Sequence, residues 1–197
     1  MRKKYFLFLL AAVLVLGAVG GTLGYYKNSA GVTNRISTKE SGVTLREVFN
    51  PADHWLPGET KEKQVSFSNS GDVPQVIRFQ YTGEWSNSSG TPLPELTVPP
   101  TVILADADNW TKIGDWYYYK KVLQPAAVTA NVIESVTFDK SLTNGGYDGK
   151  ADYSGKRYAL TVTMESLSAN TTETVAGWNM TFTDSGGTLT WQSATAT

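Results

Sequence analysis

Arg157-Tyr158-Ala159-Leu160-Thr161-Val162-Thr163-Met164-Glu165-Ser166-Leu167 decides the fold class. Tyr158, Leu160, Val162 and Met164 share one face, with Thr161, Thr163 and Glu165 opposite. Strict alternation of this kind is the mark of a half-buried β-strand. Two further stretches carry the same period. In Lys63–Asn69, Val65 and Phe67 oppose Gln64, Ser66 and Ser68. In Val76–Thr82, Ile77, Phe79 and Tyr81 oppose Val76, Arg78 and Gln80. Ser70-Gly71-Asp72 between them is a turn sequence, so the two are expected to pair antiparallel.

Further strands are expected at Val43–Phe49, Val102–Leu104, Trp116–Leu123, Val132–Phe138 and Gly187–Gln192. Asn34–Ser37 reads as a short strand within an otherwise polar arm. Gly and Pro punctuate Asn50–Thr60 and Glu84–Pro100 as loops, and Asp106–Asn109 as a turn. Residues 140–156, rich in Gly, read as an insertion. Only Thr171–Trp178 suggests a helical turn or two. Many short strands with turns between them predict an all-β, antiparallel β-sandwich.

The amino end is of another kind. Arg2, Lys3 and Lys4 precede an uncharged apolar run, Tyr5–Val19, followed by the mostly small residues Gly20–Gly24. A basic start, an apolar stretch and a small-residue exit make a secretory signal. The run falls short of the roughly 20 residues that a spanning helix needs. Cleavage is expected between Gly24 and Tyr25, with an uncleaved membrane anchor as the alternative. The expected domains are then a signal helix at 1–24, an extended arm at 25–42 and a β-domain at 43–197. Cleavage removes three of 17 basic residues and no acidic one, leaving 14 against 18, a net charge of −4. That balance argues against nucleic acid as a partner. The chain has no Cys, which excludes a disulfide framework and thiol chemistry. No wall-sorting motif stands near the carboxyl end, so no attachment there is expected.

Catalytic machinery is not legible. His54 is the only histidine; it sits in a Pro-flanked loop with no Gly-x-Ser-x-Gly elbow elsewhere. One His and no Cys leave no zinc-hydrolase pattern. Asp106, Asp108, Asn109 and Asp115, and Asp148 with Asp152, are oxygen-rich turns. They match no calcium-loop spacing and read as solvated turn residues. No enzyme, cofactor or metal is expected. The candidate partner interface is Trp116-Tyr117-Tyr118-Tyr119. Consecutive aromatics on a strand point alternately to both faces. One pair therefore lies on the outer face, either in ordinary packing or against a partner strand, a second subunit or a carbohydrate.

Several pieces in order carry a family resemblance. Val13 through Tyr26 resembles the signal segment of TasA/camelysin-type exported proteins, with Gly21-Thr22-Leu23 in place and Gly24 where the family usually has Ala. Downstream, Val32-Thr33-Asn34-Arg35, Trp55-Leu56-Pro57-Gly58, Asn69 through Pro74, Val76-Ile77-Arg78, Trp116 through Leu123, Tyr158 through Glu165 and Gly177-Trp178 are similar to its biofilm-matrix branch. The resemblance implies a jelly-roll-like sandwich, export in Gram-positive bacteria with a SipW-type signal peptidase, and assembly into extracellular matrix fibres. The implied partners are the peptidase and the protein itself or a related matrix subunit, with membrane contact only through an uncleaved signal. It also implies that an N-terminal segment completes the sheet of the next subunit; here that donor is Tyr25–Lys39. The camelysin branch is linked with protease activity, for which His54 alone gives no support. A monomeric surface module binding sugar or a host protein is the alternative function.

Overall fold

The computed structural model describes residues 35–36, 42–49, 55–142 and 151–194, the first two by backbone alone. Residues 1–24, where a signal was expected, most of the arm, His54 and Asp148 lie outside the described residues. The strands are β1 (Arg35–Ile36), β2 (Val43–Phe49), β3 (Thr60–Asn69), β4 (Gln75–Ser86), β5 (Thr101–Leu104), β6 (Trp110–Ile113), β7 (Trp116–Tyr119), β8 (Ile133–Thr137), β9 (Arg157–Ser168), β10 (Met180–Ser185) and β11 (Thr188–Ser193). One helix, α1 (Thr171–Trp178), precedes the last two. The fold is all-β and mostly antiparallel.

A five-stranded sheet runs β1-β9-β4-β7-β6 and a four-stranded sheet runs β2-β3-β8-β5. β4 and β9 form its longest ladder, unbroken from Gln75↔Ser168 to Ser86↔Arg157. The alternation expected for β9 holds: Tyr158, Leu160, Val162 and Met164 are buried. These side chains meet the other sheet. Val65 and Phe67 of β3 pack with Ile77 and Phe79 of β4 and with Val162 and Met164 of β9. The Phe67 and Phe79 ring centres are 5.6 Å apart, and Trp110 meets Phe79 edge-on at 4.8 Å. A second cluster fills one end: Trp55 stacks on Phe138 at 4.1 Å, and Trp85 meets Phe138, Tyr153 and Tyr158.

The expected pairing of 63–69 with 76–82 is corrected by the structure. β3 and β4 lie in different sheets and meet face to face through Phe67 and Phe79 instead of edge to edge. The cause is the corner between them. Asn69, fully buried, donates from Nδ2 to the carbonyls of Val73 (2.9 Å) and Leu123 (3.0 Å) and accepts from Gly71 N (3.0 Å). These bonds hold the chain in a step to the second sheet, and Pro74 cannot donate to a continuing ladder. Gly42 passes close above: a Cβ there would stand 2.3 Å from Gly71 N.

Other boundaries differ as well. The aromatic strand stops at Tyr119 because the chain bends to meet the carboxyl end, with Leu189 N donating to Lys120 O at 2.7 Å. Residues 84–86 extend β4 into the expected loop. β6 and β10 were not anticipated, and β11 replaces the expected last strand with nearly the same bounds. The 140–156 stretch is anchored by Leu142 and Tyr153, both buried; residues 143–150 lie outside the described set.

Helix α1 begins where Asn170 Oδ1 accepts from the N–H groups of Thr172 (2.8 Å) and Glu173 (3.2 Å). It ends on Asn179 in the left-handed region, φ 54°. β10 and β11 then form a hairpin whose turn, Gly186-Gly187, has positive φ at both residues. Helix and hairpin cover the outer face of the five-stranded sheet, with Met180, Leu189 and Trp191 packed on Val76 and Tyr118.

Candidate functional site

The aromatic strand β7 divides between two environments. Tyr117 and Tyr119 face the inter-sheet core. Trp116 and Tyr118 face outward, beneath the C-terminal cover. Tyr118 lies 5.0 Å from Trp191 and 6.0 Å from Trp178, and Trp191 Nε1 donates to Tyr119 O at 2.8 Å. Tyr118 and Tyr119 are buried; Trp116 and Tyr117 are half-buried.

Arg78 organises the covered side. Its guanidinium sits 4.1 Å over the Trp116 ring and 4.6 Å over Trp178. Nε and Nη2 donate to Glu165 Oε2 at 2.9 and 2.7 Å, and Nη1 donates to the Tyr118 hydroxyl at 3.0 Å. A planar, delocalised cation suits stacking and charge pairing at once. The cluster joins β4, β7, β9 and α1, so the outward aromatics are engaged within the chain.

The reachable end of β7 opens into a shallow depression of about 360 Å³ lined by Gln80, Tyr81, Thr82, Lys112, Asp115 and Tyr117. Tyr81 and Tyr117 stack with centroids 6.0 Å apart, and Lys112 Nζ stands 5.3 Å from the Tyr117 ring centre. Burial, a hydrogen bond with Tyr117 and the neighbouring Tyr117 and Tyr158 phenols push Tyr81 up to about 12. Burial, then the Asp106 carboxylate, raises Tyr119; burial raises Tyr158. Phenols shifted upward stay protonated near neutrality, which suits packing and hydrogen bonding and not proton abstraction.

The other candidate is a strand edge. β9 pairs with β4 along its whole length on one side. On its other side, among the described residues, it meets only β1, in parallel, with Arg35↔Thr163 and Ile36↔Met164. Arg35 and Ile36 thus join the sheet as an added edge strand. Such an addition is held by backbone hydrogen bonds, which any extended chain can make.

Among the described residues, no three His, Cys, Asp or Glu side chains converge as a metal site. Asp106 Oδ1 accepts from Asn109 Nδ2 at 2.6 Å, and Asp152 accepts from Ser154 N and Oγ. No described helix is long and apolar enough to cross a membrane. Gly24 and Tyr25, the expected cleavage residues, lie outside the described set.

Sequence reasoning missed two charged groups. Arg78 was placed on the outer face without its aromatic clamp. Lys63 is in phase with Val65 and Phe67, which marked it as inward-facing. It is fully buried, with Nζ 2.5 Å from Glu47 Oε1 and 4.3 Å from the Phe49 ring centre. No family model, curated protein or solved structure matches this chain.

Proposed function

We propose that this chain is an exported structural protein of an extracellular biofilm matrix, built as a jelly-roll-like β-sandwich. It assembles into fibres by donating its N-terminal strand to another copy or to a related matrix subunit. A SipW-type signal peptidase, cutting after Gly24, frees the arm that begins at Tyr25.

The observation that carries this reading is β1. Two residues of the arm lie in parallel along the outer edge of β9 and precede β2 by a short stretch of chain. So short a pairing is easily exchanged, because the same backbone bonds form whether the strand comes from this chain or the next. The outward aromatics of β7 are engaged with Arg78 and the C-terminal cover, which favours an edge over a face as the point of contact.

The test compares the chain starting at Tyr25 with the same chain lacking residues 25–39, by light scattering and electron microscopy. Filaments from the longer form alone, with both forms folded, are expected. Two folded monomers at every concentration would refute assembly.

A further inference from the structure

Two hollows adjoin on β4. The first, about 360 Å³, is lined by Tyr81 and Tyr117 together with Gln80, Thr82, Lys112 and Asp115. The second, about 320 Å³, begins at Gly83, the residue after Thr82, and is lined by Glu84, Trp85, Leu93 and Tyr158 among others. Both hold aromatic rings. Those of Tyr81 and Tyr117 lie within 15° of parallel with centroids 6.0 Å apart, and those of Trp85 and Tyr158 meet at 5.0 Å. No side chain divides the hollows at Gly83. The Tyr158 hydroxyl fills that space, since a Cβ on Gly83 would stand 1.8 Å from it. From Tyr81 to Trp85 the strand advances roughly 13 Å, at about 3.3 Å per residue.

Polar side chains surround these rings. Thr82, Glu84, Lys112 and Asp115 are exposed and Gln80 is half-buried. Among the described residues no hydrogen bond or ion pair engages any of the five. Two carboxylates stand there against the single ammonium of Lys112, a balance that gives an anionic ligand no advantage. Backbone groups add to the set. Gln75 and Leu123 exchange both hydrogen bonds on the β7 side of β4, and alternate residues of a strand point the same way. Tyr81 and Gly83 therefore turn their N–H and C=O to that side, past the end of the β4–β7 pairing. Phe79 before them pairs with Tyr117, and Trp85 O after them accepts from Leu93 N. So short a free stretch favours a ligand with scattered hydroxyls over a polypeptide strand, which needs a longer run of open backbone.

We propose that the adjoining hollows bind a linear, neutral oligosaccharide, a stretch of a longer glycan laid along β4 from Tyr117 to Trp85. A sugar ring has C–H groups on its faces and hydroxyls round its rim. The C–H groups carry slight positive charge and suit the negative face of an aromatic ring. The hydroxyls both donate and accept. The Gln80 amide and the Thr82 hydroxyl can do either, Asp115 and Glu84 accept, and Lys112 donates. Aromatic walls with a few polar groups that fix orientation are the usual make-up of a small-molecule site, and each hollow lies at the small end of the range of about 300–1,000 Å³. This inference goes beyond the assembly reading and does not rest on it: the site lies wholly within the β-domain.

The test is saturation-transfer NMR on the chain starting at Tyr25, observed on the sugar, which reads monomer and filament alike. The probes are linear oligosaccharides of glucose, of galactose and of N-acetylglucosamine at millimolar concentration, with a synthetic peptide of residues 25–39 beside them. Transfer to the ring C–H protons of one of these sugars is expected. Its affinity should fall about tenfold in the double variant Thr82→Ala/Asp115→Ala, which removes two hydrogen-bonding side chains. Both positions are exposed, and an unchanged Tm checks the fold. Glu134→Ala, exposed on β8 in the other sheet, should bind as the parent does. No transfer to any of the sugars, or equal affinity in the double variant, would overturn the site. Transfer to the peptide alone would overturn the glycan in favour of a polypeptide. Electron microscopy scores filaments separately: filaments without sugar binding overturn this inference and leave assembly standing, and sugar binding without filaments does the reverse.

Discussion

Substituting Glu47 by alanine leaves the Lys63 ammonium buried without its partner. The side chain of Lys63 is 1% exposed and that of Glu47 18%. At an effective dielectric near 20, unit charges about 4 Å apart attract by about 4 kcal/mol. Removing one member of a buried pair costs about 3–5 kcal/mol. Residual water at Glu47 sets the expectation for E47A at the lower end, about 3 kcal/mol. For a chain of this size that lowers Tm by about 6–12 °C. Lys63→Met keeps the stem beside Phe49 without the charge, and is expected within about 1 kcal/mol of the parent. The double variant E47A/K63M should recover most of what E47A loses. The pH dependence has a definite sign. Burial, against the pull of Glu47, lowers the Lys63 pKa below 10.5. Between that lowered value and 10.5 the unfolded chain holds more protons, so this group makes stability rise with pH in that window. K63M should flatten the rise. Denaturant melts across pH measure all of this. If E47A stays within about 1 kcal/mol of the parent, or the double variant is no better than E47A, the buried-ammonium argument fails.

Arg78→Lys keeps the charge but gives up the stacked plane between Trp116 and Trp178 and the paired donation to Glu165. A loss of about 1–2 kcal/mol is expected, with altered tryptophan fluorescence, and an unchanged spectrum and Tm would count against the clamp. Asn170→Ala removes the acceptor for two N–H groups of α1 and should cost about 1 kcal/mol in urea melts. Tyr81, raised to about 12, keeps its proton in the fold after the unfolded chain has lost it. Its contribution is full below about 10 and is lost as pH rises through about 12, so Tyr81→Phe should weaken that alkaline decline in melts across pH.

β9 was legible because one of its faces is apolar and the other is not, and burial follows that alternation residue by residue. Lys63 carried a signal in its phase, since 63, 65 and 67 must share a face, but the sequence reading left it unassigned. The sheet to which a strand belongs was not. Ser70-Gly71-Asp72 is turn chemistry whether it closes a hairpin or steps to a second sheet, and the choice rests on Asn69 reaching Leu123. The fate of the β7 aromatics was equally hidden, because their cover comes from Met180, Leu189 and Trp191, distant in sequence. β6 and β10 are short and flanked by polar residues, so four or six residues gave too little period to read.

The long β4–β9 ladder also constrains when the fold can close. Arg78 and Glu165, which face each other across it, stand 87 residues apart along the chain. Closing so wide a loop is entropically uphill before any rung rewards it. For a chain made or threaded amino end first, the inner faces of β3 and β4 must wait uncovered until β9 has emerged. Such a chain stays pliable through most of its passage and sets late, after nearly all of it is through.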